Sequence, residues 1–362
     1  MHLLLRPVPA LSAALLLLAT TATRAVAHGP DVPDPTFPEV LLRWNLDPLP
    51  IVGVAVAAVA YVWGVRRVSH AHPENRHAPL RTAAYLAGLG SILLALISPI
   101  EAYEGQLFSV HMVQHMLLEL VAAPLILLGA PATLALRAAS PSVRRGLLAI
   151  LHSRAVAVIS FPLLTWLLFA AVNWGWHFST LYDQALENDA LHYLQHTTFL
   201  VAALLFWWPV IGADPSRWRL PYPVRLFYLF LAMPQNSFLG VALMSAPQVL
   251  YPHYLTNLRD WGPAALADQN MGGVLMWVFG DVVFLLAMGG VVAAWVRHED
   301  RRTARLDARL DAALARQDAQ AQAANAQARI GAHAQIGAQA HGQADASAEA
   351  QADARAQAQR SR

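Results

Sequence analysis

The sequence predicts an all-α protein: a polytopic membrane helical bundle of about seven transmembrane helices after a signal peptide. Hydrophobic residues make up 56% of the 362 residues and charged residues only 13%. Soluble proteins average about 45–50% apolar and about 25% charged residues. Long apolar runs recur along the chain, and a lipid-embedded backbone must satisfy its own hydrogen bonds, so these runs are predicted to be helices.

The predicted spans each have about the length needed to cross the hydrocarbon core, for which ~20 residues suffice. They are residues 49–65, 82–100, 111–136, 155–176, 192–212, 224–245 and 271–296. Pro124, Pro162 and Pro234 fall inside them, where they are expected to kink the helices.

Both ends of the chain differ from this pattern. Residues 1–27 carry Arg6, a short apolar run and the small-residue pattern AVA, which predicts a signal peptide; an uncleaved anchor helix is the alternative. Residues 28–48 then form an outer segment, and 49–302 the seven-helix transmembrane domain. The Ala/Gln-rich residues 303–362 lack apolar periodicity and are predicted to be a disordered or partly helical cytoplasmic tail.

The arginines concentrate in alternate loops. The loops 66–81, 137–154 and 213–225 and the residues after 296 hold most of them, whereas the intervening segments hold only Arg43 and Arg259. The positive-inside rule then predicts a plasma-membrane protein with its mature N-terminus outside and its C-terminus in the cytoplasm. The lipid bilayer accounts for this basic charge, so no nucleic-acid partner is expected.

Two predicted spans begin with the pattern H-x-x-x-H. His111 and His115 start the third span, and His192 and His196 start the fifth. Residues four apart share one helix face, so each pair points two imidazoles in one direction. The orientation also brings further candidate ligands to the outer ends of the helices, namely His177, Asp268, Met112 and Met116.

The chemistry of these side chains predicts a metal site. Imidazole suits copper, zinc, iron and nickel, and thioether suits Cu(I). The chain has no cysteine, which excludes thiolate sites and, together with the His/Met mixture, favours copper. The alternative is that the histidines are polar residues at headgroup level and the methionines pack the core. Glu119, Gln235, Asn236 and Asp281 are polar residues within apolar spans and are expected to face the bundle interior.

No enzymatic motif supports a catalytic function. The zincin pattern H-E-x-x-H is missing, and so are G-x-G-x-x-G and P-loop patterns before a helix. The sequence therefore predicts a protein that is not an enzyme.

Three stretches in order along the chain resemble the CtaG family of cytochrome c oxidase assembly factors: HMVQHMLL, WHFSTLYDQALENDALHYLQHTTFLVAALLFWWPVIG and DQNMGGVLMW. The resemblance covers roughly residues 40–296. It implies a role in forming haem–copper oxidase through copper delivery, with cytochrome c oxidase subunits as partners. Its motif positions fall on His111, His115, His177, His192, His196, Asp268 and Gln269. Seven spans without cysteine exclude the unrelated single-span, thiol-dependent copper chaperones.

Three functional hypotheses follow. The first is an assembly factor that handles copper at the outer surface. The second is an electron-transfer protein with haem held between the paired histidines, as helical bundles can hold it. The third is a metal-free scaffold for an oxidase subunit, in which the histidines are polar interface groups.

Overall fold

The computed structural model describes residues 34–257 and 259–360. The predicted signal peptide and residues 28–33 lie outside them. The chain forms two units, Met1–Val292 and Ala293–Arg362. Within the described residues the regular secondary structure consists of helices and no strands, which confirms the predicted all-α class.

The helices follow one another with short connections. In chain order they are α1 Pro48–Ala71, α2 Pro79–Ile97, α3 Pro99–Glu104, α4 Phe108–Met116, a π-helical segment Leu117–Ala122, α5 Ala123–Leu128, α6 Pro131–Ala138, α7 Pro141–Leu151, α8 Arg154–Ile159, α9 Pro162–His177, α10 Leu181–Glu187, α11 Asp189–Ile211, α12 Tyr222–Met244, α13 His253–Thr256 and α14 Ala265–Arg360.

Six helical stretches of the described chain are long and apolar enough to cross a membrane, which confirms a membrane helical bundle. They begin at Pro48, Pro79, Phe108, Asp189, Tyr222 and Ala265. The predicted fourth span, 155–176, is divided into α8 and α9. Pro162 causes the division: the residue before a proline is pushed away from helical backbone angles, and Phe161 has an extended conformation with ψ 124°.

The third span changes its hydrogen-bonding pattern directly after the first histidine pair. Residues Leu117–Ala122 form a π-helix, and α5 follows with Pro124 in its first turn. Proline has no N–H for the regular i to i−4 bond, which explains the change at this point. The indole of Trp207 donates to the Glu119 carbonyl over 2.9 Å. This bond satisfies a π-helix carbonyl and joins the third span to α11.

Close packing holds the histidine-bearing helices together. Phe199, Phe206 and Trp207 of α11 are fully buried, and α11 packs against α9, α5 and the π segment. On the other side, α2 approaches α5 so closely that a Cβ on Gly88 would lie 2.9 Å from the Ile126 backbone nitrogen. α4 itself packs against α3 and α2.

In the second unit the chain is helical to Arg360. Its side chains from 296 to 355 are exposed. A helix made mainly of alanine and glutamine has no apolar stripe to bury. Both residues are nevertheless good helix formers. The boundary of the predicted tail at 303 stays a prediction.

Candidate metal centre

The two H-x-x-x-H pairs lie side by side in the interior of the first unit. The Nε2 atoms of His111 and His115 are 2.8 Å apart. Ring centroids are 5.5 Å apart between His111 and His192 and 5.6 Å apart between His115 and His196. All four histidine residues are 6% exposed or less. The spacing of four places each pair on one helix face, and the packing of the π segment and α5 on α11 turns the two faces toward each other.

Two groups of side chains have the geometry to hold a metal ion. We name the first the three-histidine group; it consists of His111, His115 and His196. The second, named here the glutamate group, consists of Glu104, His111 and His192. In each group the ligand atoms lie within 4.8 Å of one another. His111 belongs to both groups, because its Nε2 faces His115 and its Nδ1 lies 2.7 Å from Glu104 Oε2.

The distances suit a first-row transition metal. Imidazole nitrogens bind such ions at ~2.0–2.1 Å, so two nitrogens on one ion lie at most about 4.2 Å apart. The 2.8 Å between His111 and His115 lies within that limit, and the ligand atoms of each group lie within 4.8 Å of one another, about 0.6 Å above it. The donors are imidazole and carboxylate, which copper, zinc and iron accept.

Sequence reasoning missed Glu104. It ends α3, is 0% exposed, and its Oε2 lies 3.7 Å from His192 Nε2 as well as 2.7 Å from His111 Nδ1. A signal was available, because Glu101 and Glu104 are two carboxylates at the end of an apolar run. Only the turn between α3 and α4 decides that Glu104, seven residues before His111, points at the imidazoles.

Hydrogen bonds behind the histidines fix which nitrogen carries the proton. Gln114 donates its amide N–H to the Ala95 carbonyl over 3.0 Å and to Glu101 Oε2 over 2.5 Å. Its Oε1 therefore faces His196 Nε2 at 3.0 Å, and this nitrogen must be the donor. The lone pair of His196 is then on Nδ1. Outer partners of this kind orient the histidine ligands of metal sites.

His177 shows the same arrangement at the end of α9. Its Nδ1 donates to the Asn173 carbonyl over 2.7 Å, so the lone pair is on Nε2. That Nε2 is buried and has no hydrogen-bond partner, and the same is true of His115 Nδ1. The two rings have centroids 6.2 Å apart. A fifth imidazole thus lies beside the three-histidine group.

Asn173 also connects His177 to a buried carboxylate. Its side chain donates to Glu119 Oε2 over 3.1 Å, and Glu119 is 5% exposed. Asn236 and Asp281, also predicted to face the interior, join α12 to α14. Asn236 donates to the Met276 carbonyl, and Asp281 accepts a 2.9 Å hydrogen bond from Ser237.

The remaining predicted ligands, and the motif residue Gln269, have other contacts. Asp268 accepts a 2.5 Å hydrogen bond from the Ser109 hydroxyl, and Gln269 accepts one from the Leu250 backbone over 2.7 Å. Met112 and Met116 pack in the apolar core with Phe108. The Asp268–Ser109 bond joins α14 to the start of α4. The metal-binding roles of Asp268, Met112 and Met116 stay predictions.

A loop between α12 and α14 covers the imidazoles. Tyr254 donates to the Glu104 carbonyl over 3.1 Å, and its hydroxyl is 3.4 Å from His111 Nδ1. Tyr251 donates to the His177 carbonyl over 3.0 Å. Burial raises the pKa of both phenols, so they stay protonated and keep these hydrogen bonds at neutral pH. We call residues 251–257 the cap.

The fold and this site define a class: helical membrane proteins with a buried imidazole–carboxylate centre between two of their long helices. The chain belongs to the cytochrome c oxidase caa3 assembly factor (Caa3_CtaG) family, whose model matches residues 59–298. This confirms the resemblance read from the sequence.

Relatives of the chain occur in mycobacteria. Uncharacterized proteins of Mycobacterium bovis and Mycobacterium tuberculosis are each 32% identical over 330 residues, which is 85% of this chain and 49% of theirs. An uncharacterized protein of Mycobacterium leprae is 31% identical over 289 residues, 77% of this chain and 43% of its own length. The chain therefore spans about half the length of these curated relatives. No solved structure matches it.

Proposed function

We propose that the protein is a non-enzymatic membrane assembly factor for haem–copper cytochrome c oxidase, and that it binds the copper ion it hands to the oxidase. Copper is a cargo here and not a resident cofactor. The family name supports the oxidase, and the convergence of His111, His115 and His196 in one buried group supports the ion.

The donor set favours copper among the ions that imidazole accepts. Thiolates are not available, since the chain has no cysteine. At a given site with nitrogen ligands, Cu²⁺ binds more tightly than Fe²⁺, Ni²⁺ or Zn²⁺. A carrier benefits from such a site, because the ion is shielded from water and the ligands are held ready.

Each residue has a defined part in this proposal. His115 and His196 offer lone pairs from two different helices, and His111 joins them through Nε2. Gln114 and Glu104 orient His196 and His111. The cap keeps water from the bound ion and must move before the ion can leave. By the positive-inside rule the cap faces outward, so release would occur at the outer surface.

The competing hypotheses make different predictions for the purified protein. In each of the two groups, three ligand atoms lie within 4.8 Å of one another, which suits an ion better than a macrocycle with two axial positions. A strong haem band in the visible spectrum would select the electron-transfer hypothesis. Retained oxidase binding without any metal would select the scaffold.

The direct test replaces His115 or His196 with Ala in the full chain. Removing a side chain that hydrogen-bonds to a metal ligand typically weakens metal binding ~10–100-fold. Removing the ligand itself should weaken copper binding by more than ~100-fold. Oxidase activity in cells carrying the variant should fall with it, while the amount of membrane-inserted protein stays the same. The matched control is His333→Ala, because His333 is an exposed histidine whose ring bonds only the Arg329 carbonyl.

The double variant gives a second, independent criterion. The effects of replacing two residues of one site do not add. Replacing both His115 and His196 should therefore reduce oxidase maturation little more than either single replacement. Losses that simply add would mean two separate roles. Normal copper affinity and oxidase activity in both single variants would refute the metal site.

A further inference from the structure

We propose that the centre contains two overlapping ion positions that share His111 and are occupied in turn: one in the glutamate group beneath the cap, and one in the three-histidine group a helical turn deeper. The inference deepens the proposed function and rests on it, since it concerns the path of the same cargo.

The first observation is that His111 presents its two nitrogens to two different ligand sets. Nδ1 lies 2.7 Å from Glu104 Oε2, and Nε2 lies 2.8 Å from His115 Nε2. The two nitrogens of an imidazole diverge, so one ion cannot use both. An ion bound at Nδ1 has Glu104 and His192 beside it, whereas an ion bound at Nε2 has His115 and His196.

The second observation is the difference in depth. His192 and His196 are four residues apart on α11, as are His111 and His115 on α4. Four residues rise ~6 Å along a helix. The cap contacts the glutamate group, because Tyr254 donates to the Glu104 carbonyl and lies 3.4 Å from His111 Nδ1. An ion that passes the cap therefore reaches the glutamate group first.

The third observation is chemical. Glu104 is 0% exposed, and its Oε2 lies 2.7 Å from His111 Nδ1 and 3.7 Å from His192 Nε2. A cation at this position would therefore meet a carboxylate oxygen as well as imidazole nitrogens. The glutamate group combines a carboxylate oxygen with imidazole, whereas the deeper group offers imidazole alone. Carboxylate favours harder ions and imidazole favours copper, so the deeper position should be the more selective for copper.

These observations assign an order of events. An incoming cation first binds Glu104, with His192 and His111 Nδ1 as further ligands. It then moves about one helical turn to His111 Nε2, His115 and His196. A neutral imidazole has one N–H and one lone pair, so a neutral His111 binds the ion at one position at a time and the two positions are filled in turn.

Variants of His192 and His196 test this inference, because the two residues lie one turn apart on the same helix. The full chain is purified in detergent and saturated with Cu(II). Bound copper is counted by mass spectrometry, and its ligand nitrogens are counted by electron paramagnetic resonance. Wild type should bind one equivalent through three nitrogens. His192→Ala should do the same, because the deeper position is intact.

His196→Ala is the decisive variant. It should still bind one equivalent, now with two coupled nitrogens and an oxygen, since the ion rests in the glutamate group. Adding Glu104→Gln to His196→Ala should then remove the copper, whereas Glu104→Gln alone should leave one equivalent. His111→Ala should lose it altogether. If His196→Ala fails to fold, His196→Asn repeats the measurement with a polar side chain.

Two results would refute the existence of two ion positions without contradicting the proposed function. One is that His196→Ala binds no copper at saturation although His192→Ala binds normally, which means a single deep site. The other is that both variants change the resonance spectrum alike, which means one joint site. If wild type itself binds no copper, the proposed function and this inference fail together.

Discussion

Gln114 is the residue whose replacement most directly tests how the imidazoles are oriented. It is 0% exposed, and it holds His196 through a 3.0 Å contact to Nε2. Replacing it with Leu keeps the volume but removes both the acceptor for His196 and the donors to Ala95 and Glu101. His196 is then free to exchange tautomers and to turn its ring, so its lone pair no longer points reliably at the ion.

The expected loss can be estimated. Outer partners of metal-binding histidines are worth about 10–100-fold in affinity, which corresponds to ~1.4–2.7 kcal/mol. Gln114→Leu also leaves the Glu101 carboxylate without its amide donor, at a cost of roughly 1–3 kcal/mol in stability. Affinity should therefore fall while the number of bound ions at saturation stays the same.

The assay is competition between the purified protein and a copper chelator of known affinity. Gln184→Leu is the control, since Gln184 is exposed and bonds only Thr180. The amount of folded protein is followed by gel filtration in detergent. If Gln114→Leu binds copper as tightly as wild type, the orientation of His196 does not depend on this amide.

Three further predictions concern the fold. Gly273→Ala should destabilise the detergent-solubilised protein by about 1–3 kcal/mol, because a Cβ there would lie 2.6 Å from the Met244 nitrogen. Gly289→Ala, with nothing within 4 Å, should not destabilise it; equal losses in denaturant titration would contradict the close helix contact. A topology reporter after His177 should be external and one after Arg217 cytoplasmic; the opposite result at either point would refute the orientation. Deletion after Asp307 should leave membrane insertion and oxidase activity intact, and loss of the inserted protein would show that the tail is structural.

Helical spans and paired histidines follow from local properties of the chain. Apolar runs must become helices in lipid because the backbone has no other partner for its hydrogen bonds, so the fold class can be predicted without tertiary contacts. The i, i+4 spacing of His111 and His115 likewise fixes a common face on one helix. Even the division of the predicted fourth span has a local cause, which is Pro162.

The composition of the centre depends on how separate helices pack, and periodicity within one helix cannot specify that. Glu104 reaches His111 only because the chain turns between α3 and α4, and Gln114 reaches His196 across 82 residues of sequence. Asp268 lies in the first turn of α14, but its carboxylate accepts a hydrogen bond from the Ser109 hydroxyl. The sequence by itself therefore determined the membrane helices and the residue types available for metal binding. Only the tertiary structure decided which side chains share one group, because ligand distances of a few ångströms are set by contacts between residues far apart in the chain.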